Sequence, residues 1–284
     1  MKKGILLLLS FLTILTSFAN NYETDIINAN QMINIAGKQR MLSQKLAKIY
    51  LMKAYGANLP TMNTELQMSK IFFERNLETL MLNSDKLFSP NVRRALSKEK
   101  ATWNVFKSIL NNKINENQVS KVLEVSNQLL KDSHAVVQTI KGENIDATFG
   151  TNPELLDTID KSGKQRMLSQ RLCLYFVAKK FALKNKEKSF RNDTALHSTY
   201  NELDDALVNL LNSEVNTMTV EEAIGHTMIT FENLRSQKSS FLDGNASLNV
   251  VYNTTNKLTK DFDNVTSKYS DLKLDAEGTI SSRY

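Results

Sequence analysis

"GKQRMLSQ" stands at Gly37–Gln44 and again, letter for letter, at Gly163–Gln170. The flanks of the two copies, "INIAGKQRMLSQKLAKIYLMKAYG" from Ile33 and "IDKSGKQRMLSQRLCLYFVAKKFA" from Ile159, have diverged around it. In both stretches apolar residues recur at three and four, which predicts an amphipathic helix rather than a strand. On such a helix Arg40 shares a face with Ile33, Ala36, Gly37, Ser43, Gln44, Ala47 and Leu51. Arg166 stands in the same way among Ile159, Ser162, Gly163, Ser169, Gln170, Cys173 and Val177. An arginine is seldom buried without a partner, and a mid-helix glycine costs about 1 kcal/mol relative to alanine. Two unfavourable choices made identically at both sites point to a purpose beyond folding.

The correspondence extends outward from the octapeptide. "TLMLNS" ending at Ser84 resembles "VNLLNS" ending at Ser213, "TWNVF" ending at Phe106 resembles "TMITF" ending at Phe231, and "SNQLLKD" at 126–132 resembles "TNKLTKD" at 255–261. The chain therefore reads as two copies of one unit. Ser89-Pro90 and Asn152-Pro153 each set a capping residue before proline at a first helical position. The predicted helices run over 24–56, 61–84, 90–112 and 117–141, then 153–184, 189–213, 219–241 and 245–270. Four amphipathic helices with short connections close most simply into an antiparallel bundle. The expected fold is all-α, two tandem antiparallel four-helix bundles from an internal duplication. The repeats span 24–141 and 153–270, with a linker at 142–152 and a tail at 271–284.

Residues 1–19 read as a cleaved secretory leader, with Lys2 and Lys3, an apolar run, and Ser17-Phe18-Ala19 at the cleavage point. That run is short for a membrane span, no second one follows, and no cysteine stands near the cleavage point to take a lipid. An exported, soluble, periplasmic protein without a direct membrane anchor is expected. Without Lys2 and Lys3, the 36 Lys and Arg become 34 against 30 Asp and Glu, an excess of +4. So mild and dispersed a charge gives no footprint for nucleic acid. Cys173 is the one cysteine in the chain and cannot form an internal disulfide; it reads as a small core residue. His134, His197 and His226 lie too far apart to suggest a metal site. No nucleophile or acid–base constellation stands out, so neither an enzyme nor a cofactor is expected.

For the octapeptide the expected chemistry is anion capture. Gly37 and Gly163 would let two helix backbones approach closely, and Arg40 and Arg166 would meet across that seam with five fixed donors each. Facing guanidinium groups repel, so a small planar oxyanion or carboxylate would sit between them. Ser43, Gln44, Ser169 and Gln170 complete the expected ligand set. The other reading has the arginines snorkel, or pair with a carboxylate of another helix, and makes the octapeptide a packing motif. Lys45 and Arg171 lie on a different face and read first as solvated charges.

The two flanked octapeptides resemble the signature helix of the type IV pili methyl-accepting chemotaxis transducer N-terminal domain, related to the periplasmic sensor domain of nitrate/nitrite sensor histidine kinases. The resemblance implies a periplasmic four-helix sensor bundle. It also implies that the glycine and arginine bind the anion at a two-fold interface, at Gly37 and Arg40 in one copy and at Gly163 and Arg166 in the other. Lys45 and Arg171 correspond to the basic residue further along that helix. The expected function is an exported sensor-type protein that recognises a nitrate- or nitrite-like oxyanion, or a small carboxylate, between its repeats. It would report to a membrane-bound sensor kinase or chemotaxis-type transducer. The alternative is a ligand-free helical interaction module of the cell envelope.

Overall fold

Asn28 starts the first helix with a reciprocal cap: its side chain accepts from the Gln31 N–H at 2.9 Å, while the Gln31 side chain accepts from the Asn28 N–H at 3.1 Å. Two donors that a helix start leaves open are thereby satisfied. The chain is described here from a computed structural model covering residues 27–87, 89–143, 152–186, 190–274 and 280–281. The expected leader at 1–19 and most of the expected linker lie outside these residues.

The helices are α1 Ala29–Tyr55, α2 Met62–Leu87, α3 Pro90–Asn111, α4 Val119–Gly142, α5 Pro153–Lys184, α6 Phe190–Leu211, α7 Met218–Arg235, α8 Lys238–Leu242 and α9 Leu248–Asp271. The all-α class is thus as the sequence predicts, and both capped prolines begin helices, α3 and α5. α1 ends at Gly56, whose φ of 97° closes the helix in the left-handed conformation that glycine adopts without steric cost. The helix predicted over 219–241 is broken. α7 stops at Arg235 and the five-residue α8 follows, running into Gly244 at φ 82°. After α9, β1 Lys273–Leu274 pairs antiparallel with β2 Ile280–Ser281.

In the first half α1 packs on α2 and α4, and α3 on α2 and α4; in the second α5 packs on α6 and α9, and α7 on α9 and α6. Cross-links show the directions. Gln39 reaches Phe73 and Lys53 reaches Asn63, so α1 and α2 are antiparallel. Gln44–Ser126 and Tyr50–Asn115 run α1 against α4, while Gln138–Asp160 and Lys141–Asp157 run α4 against α5. α1 and α5 are therefore parallel, and they pack along each other. Enclosed on nearly every side, both are buried around most of their circumference rather than along a stripe.

Packing also sets the correspondence between the halves. Phe73 stacks on Trp103 with centroids 4.2 Å apart, and Tyr200 lies 5.5 Å from Phe231. Thr102 donates to Asp132 and Thr230 to Asp261, each at 2.6 Å. Trp103 thus corresponds to Phe231. The expected alignment of "TWNVF" with "TMITF" is displaced, because the three-four periodicity of a helix lets a loose match slip by one turn. In the "TLMLNS" and "VNLLNS" match, buried Leu80 falls opposite exposed Asn209, between buried Leu207 and Leu210.

Candidate functional site at the seam of the two halves

Arg40 and Arg166 lie on the parallel central helices, with side chains 2 % and 0 % exposed. Side chains on a helix lean toward its N-terminus, so each guanidinium reaches back along the seam to the other helix. Arg40 Nη2 donates to the Asp160 carbonyl at 3.3 Å, and Arg166 Nη2 to the Asn34 carbonyl at 3.1 Å. The exchange continues through the side chains of the same residues. Arg40 Nη1 lies 2.7 Å from Asp160 Oδ1, and Arg166 Nη1 donates to Asn34 Oδ1 at 2.8 Å. Each arginine also meets the fourth long helix of its own half: Arg40 Nη1 is 3.4 Å from His134 Nδ1, and Arg166 Nη1 is 2.6 Å from Asp263 Oδ1.

The electrostatics follow from this geometry. Burial opposes ionisation of Asp160, but Arg40 and Lys141 outweigh it and hold the carboxyl below its usual range. Burial is likewise outweighed at Asp263 by Arg166 and Lys38. Burial pulls Arg166 down, with Asp263 opposing and Arg40 adding to the pull. His134 is lowered by burial and then by Arg40, which favours a neutral ring able to accept from the guanidinium. Two guanidinium charges are thus answered by two carboxylates of the same chain.

The glycines have a different role from the expected one. A Cβ at Gly37 would meet only Arg166 Nη2 at 3.1 Å and Arg40 Nη2 at 3.3 Å; one at Gly163 would meet Arg166 Nη2 at 2.9 Å. They make room for guanidinium groups rather than for an opposing backbone. Gly163→Ala is therefore expected to lower stability by about 1 kcal/mol, overpacking outweighing the helix-propensity gain. In an Arg166→Ala background the same change should stabilise by about 1 kcal/mol. Denaturant midpoints of the four proteins check this reversal of sign, and an unchanged sign would show that the glycine niche does not serve the guanidinium.

The structure brings together Gly37, Arg40, Gly163 and Arg166, and directs the rest of the expected ligand set elsewhere. Ser43 and Ser169 donate to Arg40 and Gln165 carbonyls of their own helices. Gln44 donates to the Ser126 carbonyl on α4, and Gln170 to Asn256 and Thr259 on α9. Lys45 lies 3.6 Å from Glu65, and Arg171 donates to the Tyr175 hydroxyl at 3.0 Å. Asn34, Asp160, His134 and Asp263 were not among the expected residues. Asn34 and Asp160 each stand six residues before an octapeptide arginine, a signal present in the repeat itself. One cavity of about 900 Å³ and another of about 350 Å³ lie among the described residues, and neither of these is lined by Arg40 or Arg166. No group of three His, Cys, Asp or Glu side chains among those residues is placed to hold a metal, and none of the described helices is long and apolar enough to cross a membrane.

Comparison with curated proteins and with solved structures gives no match. Residues 26–129, which take in Gly37, Arg40 and α1 through the first part of α4, match the family described as type IV pili methyl-accepting chemotaxis transducer N-term.

Proposed function

We propose that the protein is an exported, sensor-type signalling module acting beside a membrane-bound transducer or sensor kinase, with its two repeats clamped together by the Arg40–Arg166 cluster. The match over residues 26–129 supports the signalling context, and the leader-like residues 1–19 support export. The observation that carries the clamp is the reciprocal exchange in which each buried arginine engages residue 34 or 160 of the opposite central helix. A bound anion would have to displace Asp160 or Asp263, both already held as carboxylates by these charges. In this reading the donors that a symmetric sensor offers to an anion are used within the chain to fix one arrangement of its repeats.

A second reading retains the small anion, favoured by the convergence of both Nη2 groups on the glycine niche and by a buried Arg40 Nε without a partner. Calorimetric titration of the processed protein with nitrate, nitrite and sulfate separates the two. The clamp predicts no saturable heat that disappears in Arg40→Ala and Arg166→Ala alike; such heat would select the anion reading. N-terminal sequencing of the secreted product checks export: a start near Asn20 is expected, and an intact Met1 would contradict it.

A further inference from the structure

Three walls of the two cavities correspond between the halves. The smaller is walled by α1, α2, α5 and α9, the larger by α3, α4, α5 and α6. Lys45 and Arg171 directly follow the two octapeptides and line one cavity each. Asn256 and Lys260 line the smaller, and Asn127 and Lys131, their counterparts in "SNQLLKD", line the larger. Glu65 stands eight residues before Phe73 and Asn192 eight before Tyr200, so a carboxylate in one cavity is replaced by an amide in the other.

That exchange changes the charge of the site. In the smaller cavity, Lys45 and Lys260 face Glu65 and Asp263, and Lys45 is within 3.6 Å of Glu65. The larger holds Arg171 and Lys131, and neither has a carboxylate within ion-pair distance among the described residues. Its one acid, Glu124, lies 3.1 Å from Lys121. The Arg171 side chain is steadied by Tyr175, over whose ring it sits at 5.1 Å, while its buried Nε has no partner. The Asn127 carbonyl oxygen is also buried without a donor. Val105, Leu123 and Leu130 supply apolar wall, and about 900 Å³ lies within the range of small-molecule sites.

We infer that this larger cleft binds a small organic acid with an apolar body, its carboxylate held by Arg171 with Lys131 nearby and its body against the apolar wall. Guanidinium donors match a carboxylate in a fixed plane, and Asn127 offers an acceptor to a hydroxyl or amine on the same molecule. The site is separate from the arginine clamp and stands or falls independently of it, because the probes and the variants differ.

The test uses the full processed chain titrated with benzoate, octanoate, acetate and nitrate. Benzoate or octanoate should bind saturably and more tightly than acetate or nitrate. Arg171→Gln should weaken binding by tenfold or more. Asn192→Glu, which restores the carboxylate found in the smaller cleft, should do the same while leaving helical content unchanged. Lys45→Gln should leave affinity within twofold. Absence of saturable binding by all four probes, binding indifferent to both Arg171→Gln and Asn192→Glu, or equal losses in Lys45→Gln would each overturn the assignment.

Discussion

Asp160→Ala is expected to destabilise the protein by about 3–5 kcal/mol, the loss typical of a buried charge deprived of its partner. Arg40 is 2 % exposed and Asp160 11 %, so little water is available to replace the carboxylate. Lys141, 3.1 Å from Asp160, would lose a partner at the same time. Asp263→Ala strands Arg166, which is 0 % exposed, but Asp263 itself is 44 % exposed and Asn34 still accepts from the guanidinium. Its loss should be the smaller of the two. Asp160→Asn reproduces what Asn34 does for Arg166 and should cost less than Asp160→Ala. Urea midpoints of the three variants give the order, and an Asp160→Ala variant within about 0.5 kcal/mol of the parent would show that the pair is not a clamp.

The second large effect is a dependence of stability on pH that originates away from the seam. Glu99 on α3 is fully buried, accepts from the Ser133 hydroxyl at 2.6 Å, and has a second carboxyl oxygen without a partner. Burial, with Asp132 adding to it, raises its pKa from an ordinary 4.5 to about 8. The folded protein therefore keeps this proton between pH 4.5 and 8 while the unfolded chain releases it. Stability falls as pH rises through that window, by about 1 kcal/mol per pH unit. Lys48 acts in the opposite sense above it. Burial, with Lys45 adding, lowers its pKa from 10.5 to about 8, so the folded protein has shed a proton that the unfolded chain retains up to 10.5. Stability then rises with pH between about 8 and 10.5. A minimum near pH 8 is expected, with Glu99→Gln removing the lower branch and Lys48→Met the upper one. Equal urea midpoints for parent and Glu99→Gln from pH 5 to 8 would show that Glu99 is ionised in the folded state.

Much of this architecture can be read in the chain because helices declare themselves locally. The capped prolines start α3 and α5 where expected, and the octapeptide faces are buried as their spacing requires. What eluded the sequence is what depends on a second helix. Asp160 reads as an ordinary polar residue in "IDKSG" until α5 is laid parallel to α1, whereupon it faces Arg40. His134 and Asp263 correspond across the halves yet differ in type, so a search for repeated residues passes over them. The glycines announced a close approach correctly, but what approaches is a guanidinium and not a backbone. Lys48 and Glu99 stand among other charged residues, and nothing in their spacing marks them as buried.

In the proposed clamp, Arg40 and Asp160 act as one unit holding the two halves of the chain together. A double-mutant cycle of the parent, Arg40→Met, Asp160→Ala and the combined variant, followed by urea unfolding at neutral pH, tests it most directly. The clamp predicts strong non-additivity, with a coupling of about 1.5–3 kcal/mol and a double variant more stable than the sum of single losses implies. Losses that add to within about 0.5 kcal/mol would contradict it, leaving the two buried charges as independent passengers of the seam.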